Sequence, residues 1–240
     1  MAEVNIVIPT YNEEDNIIRL LHAIKKNKPN SKIIIVDDSS KNRIGLILKK
    51  KKIGNNIKYF HRKNCRGRGS AILFGFRKSI KKSTKQIFVE MDADFSHKPS
   101  ELNKNLLLFE KYKSDLLISS RYLPKSRIYN WSFSRRIFSK LSNILINLIL
   151  RIGVSDHTNG FRIYSKNAVK LITKKCGKIG DGFIILSEIL LILKLNQFKI
   201  DETYSIFVNR KRGESSVNLK LIFQSFFGLI KLFFIKRKYL

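Results

Sequence analysis

Acidic residues are scarce in this chain. Its 240 residues include 18 Asp and Glu against 48 Lys and Arg, which gives a formal net charge of +30. Such a balance implies attraction to phosphates, nucleic acids or anionic lipid surfaces, and it does not choose among them. The segment 39–89 alone holds sixteen basic residues and no acidic one. A solvated basic face explains the same pattern without any partner.

Cysteine, targeting signals and long apolar runs are also scarce or missing. The two cysteines, Cys65 and Cys176, lie far apart and outside any CxxC or histidine-rich setting, which argues against a disulfide framework and a zinc site. The sequence opens without a basic start and a long apolar stretch, so we expect no secretory signal and a cytoplasmic protein. Its uninterrupted apolar pieces are shorter than the roughly 20 residues that span a bilayer.

Short β-branched runs alternate with amphipathic stretches through the first half. Hydrophobic residues make up 43% of the chain, which is ample for a buried core. The runs at 4–9, 32–38, 56–60, 86–92 and 115–120 predict strands, and the stretches between them predict helices. The alternation predicts an α/β fold with a mostly parallel sheet flanked by helices.

The second half reads as an extension of the same domain, because no repeat or low-complexity linker interrupts it. We predict one domain over 1–216 and an amphipathic basic tail over 217–240. Residues 131–153 form an amphipathic helix whose apolar positions share one face. Those positions are Phe133, Ile137, Leu141, Ile144 and Leu148. Both stretches either cover a core or lie in a membrane interface with basic side chains on headgroups.

Polar residues gather where the predicted strands end. Asp38 follows the second strand, Asp92 and Asp94 follow the fourth, and Arg121 follows the fifth. Ligands of parallel sheets bind beyond the carboxyl ends of the strands. We therefore expect these side chains to share one ligand-binding edge of the sheet.

The stretch VEMDADFSHKP places Asp92 and Asp94 on either side of Ala93. In an extended segment residues i and i+2 point the same way, so the two carboxylates converge if strand geometry continues through Ala93. A hard divalent cation, Mg²⁺ or Mn²⁺, would relieve their repulsion and leave positions open for a diphosphate. Ser96 could add a hydroxyl ligand or a hydrogen bond to one of the ligands. Paired aspartates at a strand end are also common helix caps and turn formers.

The stretch PTYNEED follows the first predicted strand. It offers a turn fixed by Pro9, an aromatic ring in Tyr11 and an acidic hydrogen-bond acceptor in Glu13. Together with Asp38, which could accept from a base or a ribose, these residues outline a nucleotide pocket. Acidic residues at 13–15 also suit the first turn of a helix, and both interpretations can hold at once.

The stretch NCRGRGSA places Gly67 and Gly69 before a predicted helix, with Arg66 and Arg68 available to pair with phosphate. The pattern departs from the dinucleotide fingerprint GxGxxG, and it lacks the lysine and serine of a P-loop. Dehydrogenases and P-loop NTPases are therefore disfavoured.

Taken together, these motifs resemble those of the polyprenol-phosphate (dolichol-phosphate) mannosyltransferase family, which are inverting GT-A glycosyltransferases. VIPTYNEEDN, IIIVDDSS, MDADFSHKP, SSRY, SDHTNGFRIYSK and FVNRKRGESS occur in the family's order and approximate spacing from residue 4 to about 216. The resemblance implies a GT-A catalytic domain over 1–216. It implies metal-dependent transfer of a hexose, most simply mannose from the nucleotide sugar GDP-mannose, to the phosphate of a membrane polyprenol or dolichol.

The resemblance also implies roles for single residues. The donor would be held by Pro9, Tyr11, Glu13, Asp38, Arg68, Asp92, Ala93, Asp94 and Arg210. The metal would be held by Asp92, Asp94 and Ser96. The acceptor phosphate would be held by Arg121, Arg135 and Ser139, with Arg121, Asp92 and Asp94 as the catalytic set. Positions 135 and 139 share one helical stripe. A family signature is matched by Asp156, Asn159, Gly160 and Arg162, and a family acidic position by Glu188.

Departures from the family pattern leave the donor open. The closing family sequence GESK reads Gly213-Glu214-Ser215-Ser216 here, which removes a lysine expected on the diphosphate, with Arg212 or Lys220 as candidate substitutes. The absence of a long transmembrane extension implies an enzyme peripheral on the cytoplasmic face of a membrane, alone or with a small membrane-anchoring subunit.

Two other functions fit parts of the sequence. A GT-A glycosyltransferase could use UDP-glucose or UDP-GlcNAc as donor, or a glycan or cell-surface polymer as acceptor. A basic nucleic-acid-binding module could use residues 39–89. The aromatics of that segment fall mostly in apolar runs, and no RNA-binding signature appears, so we expect no nucleic-acid partner.

Overall fold

A computed structural model describes residues 2–39, 41–51, 56–63, 65, 67–82, 85–180, 184–209 and 219–239, with the side chains of 219–226 and 238–239 left out. The strands are β1 (Glu3–Thr10), β2 (Lys32–Asp37), β3 (Ile57–His61), β4 (Gln86–Glu90), β5 (Leu116–Ser120), β6 (Arg127–Tyr129), β7 (Arg162–Ser165), β8 (Ile200–Tyr204) and β9 (Ile206–Val208). The helices are α1 (Glu14–Asn27), α2 (Arg43–Lys50), α3 (Arg68–Ser79), α4 (Leu102–Tyr112), α5 (Phe133–Leu150), α6 (Lys166–Lys175), α7 (Ile184–Leu195) and α8 (Leu219–Tyr239). A 3₁₀ turn at Pro99–Glu101 leads into α4.

Seven of the described strands form one sheet in the order β3-β2-β1-β4-β7-β5-β8. The pairs β1–β2, β1–β4, β2–β3 and β5–β8 are parallel, and β7 is antiparallel to both β4 and β5. The predicted mostly parallel α/β sheet is therefore confirmed. The strand β7, which separates β4 from β5, was not among the predicted strands. A second, two-stranded sheet pairs β6 with β9 in parallel.

Successive residues of the central strands point to opposite faces of the sheet, because side chains alternate along a strand. Val7 on β1 and Val36 on β2 belong to the core on one face. Ile6 and Ile8 belong to the core on the other face. Helix α3 packs on the first face, and α1 on the second. Two layers of helices thus bury both faces of the sheet, and its carboxyl edge is the surface onto which β1, β2, β4 and β5 end.

Strand β4 ends earlier than the sequence predicts. It stops at Glu90, and bends occupy 93–96, with Phe95 at a φ of 60°. The condition for convergence of the two carboxylates, which is extended geometry through Ala93, is therefore not met. Asp92 and Asp94 therefore leave a turning segment, and their directions are set by separate contacts rather than by the alternation of a strand.

Helix α5 has its apolar face outward. Phe133 is 79% exposed and Leu148 is 68% exposed, whereas Asn143 is buried. The Asn143 side chain accepts a hydrogen bond from the His157 backbone N–H at 2.6 Å and donates to the Ser139 carbonyl at 2.8 Å. The interpretation that this apolar face covers a core is therefore wrong. The outward face of α5 is therefore an exposed apolar patch, and large patches of this kind mark sites of interaction with proteins or membranes.

Helix α8 contributes to both a core and this surface. Leu229 and Leu232 are buried in the first core, whereas Phe227 and Phe234 are more than 60% exposed. The Lys236 ammonium donates to the Ile149 carbonyl at 3.2 Å, which joins α8 to the end of α5. Within the described part of the chain, no helix is both long and apolar enough to cross a membrane.

Candidate active site

The end of β2 is held by a buried carboxylate that belongs to the scaffold. Asp37 accepts from the Thr10 hydroxyl at 3.0 Å and from the Ser39 hydroxyl at 2.6 Å, and its other oxygen accepts from the Tyr59 hydroxyl at 2.9 Å. Burial beside Asp37 raises the pKa of Tyr59 well above its usual range, so this hydroxyl stays a donor. These hydrogen bonds connect the carboxyl ends of β1, β2 and β3 into one surface, which we call the ledge.

The next residue, Asp38, faces the glycine-containing turn. Arg62 donates to its two carboxylate oxygens from Nε and Nη2 at 2.7 and 2.6 Å, and the Gly67 backbone N–H donates to it at 3.1 Å. Arg62 also donates to the Ser70 hydroxyl at 3.0 Å, on the first turn of α3. The sequence argument did not single out Arg62, although it is the main partner of a predicted donor-binding residue.

The predicted nucleotide residues of the first strand end lie beside this ledge. Tyr11 is 43% exposed, and the Glu13 carboxylate accepts from the Asn16 side chain at 2.8 Å. Pro9 pairs in register with Val36 on β2. Tyr11 and Glu13 therefore border the surface onto which Asp38 opens.

Arg68 lies under the two carboxylates that close β4. It donates from Nη1 to Glu90 at 2.5 Å, and its Nε lies 2.8 Å from Asp92 Oδ1. A Cβ atom added at Gly160 would fall 2.0 Å from Arg68 Nη2 and 3.0 Å from Asp92 Oδ2, so only glycine fits here without displacement. The structure thus directs Arg68 to the carboxylates, and its contact with donor phosphate stays a prediction.

These contacts fix the charge of the site. Burial by itself would raise the pKa of Asp92, but the Arg68 guanidinium outweighs it and holds that pKa well below its usual range. Burial likewise disfavours the charged form of Arg68, and the Asp92 and Glu90 carboxylates more than offset it, so its pKa is raised. Asp92 is therefore ionised, and it shares the Arg68 guanidinium with Glu90.

Asp94 lies beside a cavity of about 430 Å³. Its Oδ1 accepts from the Ser96 backbone N–H at 3.0 Å, which orients the carboxylate. The cavity is lined by Asn16, Arg19, Asp94, Phe95, Lys98, Val208 and Asn209. Arg19 and Lys98 are both exposed, and the part of the chain that the structure describes provides neither with a carboxylate partner. The cavity therefore combines one oriented carboxylate with two cations.

The residues present fit a hard divalent cation that also binds substrate. Asp94 offers oriented oxygen ligands, and Asp92 retains an oxygen, Oδ2, that lies 3.4 Å from His97 Nε2. Among the described residues, no group of three or more His, Cys, Asp or Glu side chains could hold a metal alone. Mg²⁺ is often bound by one or two carboxylates together with substrate phosphates, which matches this small donor set.

Arg121 is buried in a second part of the site, at the end of β5. Its Nε and Nη2 donate to the two oxygens of Asp156 at 2.8 and 2.7 Å, and Nη2 also donates to the Thr158 hydroxyl at 2.6 Å. Burial opposes charge on both partners, but their mutual attraction raises the pKa of Arg121 and lowers that of Asp156. Asp156, known from sequence only as a signature residue, is the anchor of this arginine.

Arg135 and Ser139 lie close to Arg121 through shared neighbours. The ring of Trp131 has the Arg121 Cζ at 5.3 Å and the Arg135 Cζ at 4.4 Å from its centroid. Ser139 accepts from the hydroxyl of Tyr122, the residue after Arg121, at 2.6 Å. The structure therefore brings together the three residues predicted to hold the acceptor phosphate.

Aromatic rings connect the two parts of the site. The ring of Phe207 on β9 lies 5.2 Å from that of Trp131 and 5.4 Å from that of His97. His97 in turn approaches Asp92 at 3.4 Å. Arg135 donates to the Asn209 side chain, on the wall of the Asp94 cavity, at 3.2 Å. The rings of His97, Phe207 and Trp131 thus connect Asp92 on one side with Arg121 and Arg135 on the other.

Other predicted residues have scaffold contacts or lie outside the described residues. Arg162 is fully buried and donates to the carbonyls of Asn159 and His157. Glu188 accepts from the Gly177 backbone N–H at 2.9 Å, and burial raises its pKa. The expectations for Arg66, Arg210, Arg212 and Ser216 fall outside the described residues, as does the side chain of Lys220.

The fold is shared with solved glycosyltransferases. The structure of Mycobacterium tuberculosis glucosyl-3-phosphoglycerate synthase matches with a TM-score of 0.67 at 16% identity, covering 98% of this chain and 80% of that one. S. aureus TarS in complex with UDP-GlcNAc matches with a TM-score of 0.65 at 17% identity, covering 98% and 66%. The predicted GT-A glycosyltransferase fold is confirmed.

The sequence then gives the family. A family model described as "Glycosyl transferase family 2" matches residues 5–172, and the chain belongs to that family. The polyprenol monophosphomannose synthase of Mycolicibacterium smegmatis is 30% identical over 215 residues, which are 89% of this chain and 80% of that protein. The dolichol-phosphate mannosyltransferase of Pyrococcus furiosus is 33% identical over 226 residues, 92% of this chain and 61% of that longer protein. The predicted kinship with these transferases is confirmed, and the chain is a glycosyltransferase.

Proposed function

We propose that this enzyme transfers a hexose, most simply mannose from GDP-mannose, to the phosphate of a polyprenol or dolichol at a membrane surface. The observation that carries the proposal is the pair Arg121 and Arg135, held on one aromatic ring beside the Asp92 and Asp94 segment. Guanidinium groups suit phosphate oxygens, and carboxylates suit a metal on a diphosphate. The names of the two curated relatives mention mannose and a polyprenol or dolichol phosphate, which supports the transferred sugar and the acceptor.

The donor diphosphate would lie in the cavity beside Asp94. A divalent cation, Mg²⁺ or Mn²⁺, would be held by Asp92 and Asp94, with Ser96 orienting the second carboxylate. When bound, such an ion supplies charge neutralisation to a departing nucleoside diphosphate. A structural neighbour was crystallised with Mn²⁺ and UDP, which supports this class of cofactor. Arg19 and Lys98 line the same cavity and would add the positive charge that Ser216 does not supply.

The nucleotide would extend from this cavity toward the ledge at the ends of β1 and β2. Tyr11 is exposed there and can stack on a base, and Glu13 presents carboxylate oxygens. Asp38 already accepts from Arg62, which fixes its carboxylate for a further hydrogen bond from the ribose or base. The family resemblance also assigns Arg210 to the diphosphate.

The reaction needs positioning more than proton transfer. The acceptor phosphate is already an anion, so its oxygen can attack the anomeric carbon without a general base. Arg121 and Arg135 would hold that phosphate on one side of the sugar, and the carboxylate segment would hold the leaving diphosphate on the other. Attack opposite the leaving group gives an inverted anomeric configuration.

The membrane would receive the outward apolar face of α5 together with the exposed aromatics of α8. Arg136 and Lys140 are exposed on α5, and Lys231 and Arg237 are exposed on α8, where they can meet anionic headgroups. This orientation would bring Arg135, in the first turn of the same helix, near the depth at which a lipid phosphate emerges. A small membrane subunit could cover part of this face, and we propose the cytoplasmic side because nucleotide sugars are charged and soluble.

The test is a transfer assay with purified full-length protein. Polyprenyl phosphate in detergent or vesicles is incubated with GDP-mannose, UDP-glucose or UDP-GlcNAc, with and without a chelator. We expect a lipid-linked sugar from one donor, abolished by the chelator and restored by Mg²⁺ or Mn²⁺. Transfer only to a saccharide acceptor, or no lipid-linked product from any donor in folded protein, would reject the proposal.

A further inference from the structure

Trp131 is the only tryptophan of the chain and lies in the centre of the acceptor side. It follows β6 and comes two residues before α5 begins, and it is 8% exposed. Its neighbour Ser132 caps α5 by accepting from the Arg135 backbone N–H. The indole is thus fixed at the point where the helix that carries Arg135 enters the site.

The indole ring lies near two guanidinium groups that would otherwise repel each other. Arg121 and Arg135 have their Cζ atoms 5.3 and 4.4 Å from its centroid. An aromatic face attracts a nearby cation. Asp156 pairs with Arg121. The two guanidinium groups that the proposed function assigns to the acceptor phosphate therefore share one aromatic ring.

The indole N–H is the unsatisfied group of this cluster. Trp131 Nε1 is buried and has no hydrogen-bond acceptor among the residues that the structure describes. Buried donors are nearly always paired, and each exception calls for a physical explanation. A ligand oxygen that accepts from Nε1 provides one, because the adjacent arginines attract an oxyanion to the same place.

We propose that Trp131 is a further binding residue for the acceptor phosphate. Its Nε1–H donates to a phosphate oxygen, and its ring fixes Arg135 at a constant separation from Arg121. The inference rests on the proposed function and extends it, because it assigns the phosphate three donor groups: two guanidinium groups and one indole N–H. Removal of the indole N–H would then lower the affinity for the acceptor and leave the affinity for the donor unchanged.

Two substitutions distinguish the role of the indole N–H from that of the indole ring. Trp131→Phe removes the donor and shortens the ring. Replacement of this single tryptophan by benzothienylalanine exchanges N–H for sulfur and keeps the bicyclic shape, so it preserves packing if the phenylalanine variant fails to fold. Tyr129→Phe is the matched control, since Tyr129 is 48% exposed on neighbouring β6 and the proposal gives its hydroxyl no role.

The measurements are calorimetric binding of farnesyl phosphate and, separately, of GDP with Mn²⁺. We expect both Trp131 replacements to weaken farnesyl phosphate binding about tenfold or more, the usual size of a lost charge-assisted hydrogen bond, with GDP binding unchanged. The control should bind both ligands as the wild type does. Farnesyl phosphate should also change Trp131 fluorescence in the wild type, and farnesol should not.

The outcomes are distinguishable. Wild-type affinity for farnesyl phosphate in the benzothienylalanine protein overturns the N–H contact and leaves the proposed function intact. Unchanged fluorescence at saturating farnesyl phosphate overturns the location of the phosphate at Trp131. Wild-type protein that binds GDP but no farnesyl phosphate overturns the proposed acceptor and the inference together.

Discussion

The Arg68 guanidinium lies 2.8 Å from the Asp92 carboxylate, measured from Nε to Oδ1. The same guanidinium donates to Glu90 at 2.5 Å, so one cation serves two carboxylates at the end of β4. A lysine in this place would bring one point charge to the pair, whereas arginine brings a rigid fork. This relationship determines which charge the Asp92 segment presents to a ligand.

Gly160 and Arg68 should be energetically coupled. We expect Gly160→Ala to lower the free energy of unfolding by about 2 kcal/mol and to weaken donor binding, because the added Cβ meets Arg68 Nη2 at 2.0 Å. In an Arg68→Ala background the same substitution should cost clearly less. Chemical denaturation of the four proteins in a double-mutant cycle measures the difference. Equal costs in the two backgrounds would contradict the coupling.

Lys98 should matter for the donor only. We expect Lys98→Met to raise the KM for the sugar nucleotide about fivefold, because the cavity beside Asp94 loses one of its two cations. The KM for polyprenyl phosphate should stay the same. Lys111→Met is the control, since Lys111 is exposed on α4 away from this cavity. A rise in both KM values, or the same effect in the control, would count against a donor contact.

The outward face of α5 should bind lipid. We expect Leu148→Glu to reduce sedimentation with anionic vesicles about tenfold, because burying one leucine contributes about 1.5–3 kcal/mol. Stability should change by less than about 0.5 kcal/mol, since Leu148 is already 68% exposed. Leu107, which is 67% exposed on α4, gives the matched control Leu107→Glu. If the two variants lose vesicle binding equally, α5 is not the docking face.

Buried His157 should make the fold acid-sensitive. Burial lowers the pKa of His157 to about 4, so below its unfolded pKa of 6.5 the unfolded chain binds a proton that the folded chain does not. Stability therefore falls as the pH drops from 7 toward 4, by about 2 kcal/mol between pH 7 and 5. His157→Leu should flatten this part of the profile in urea denaturation. An unchanged slope in the folded variant would show that His157 is not the responsible group.

Much of the architecture follows from local sequence patterns. The runs that become β1, β2, β3 and β5 are β-branched and bounded by polar turns, and such patterns specify strands locally. The position of polar residues after those runs also predicted one ligand-binding edge, because parallel strands place their carboxyl ends together. The acceptor residues Arg121, Arg135 and Ser139 came from motif resemblance, and the structure brings them together around Trp131 and Tyr122.

Other features could not be predicted, because they depend on residues distant in sequence. Strand β7 is only four residues long, and it enters the sheet because Arg162 and Tyr164 find partners on other elements. The role of Asp156 depends on Arg121, 35 positions away. Arg62 carried no motif, and only its approach to Asp38 reveals it.

The sequence by itself determined the α/β class, the edge of the sheet that carries the site and the kinds of charge that meet there, since each depends on local periodicity and residue chemistry. Tertiary structure decided where those charges go. In the folded chain Asp92 pairs with Arg68, and Arg121 pairs with Asp156. A buried ion is least costly beside an opposite charge with good hydrogen-bond geometry. Tertiary structure also left the apolar face of α5 outward and the Asn143 side chain inside, where Asn143 accepts a hydrogen bond from the buried His157 backbone N–H.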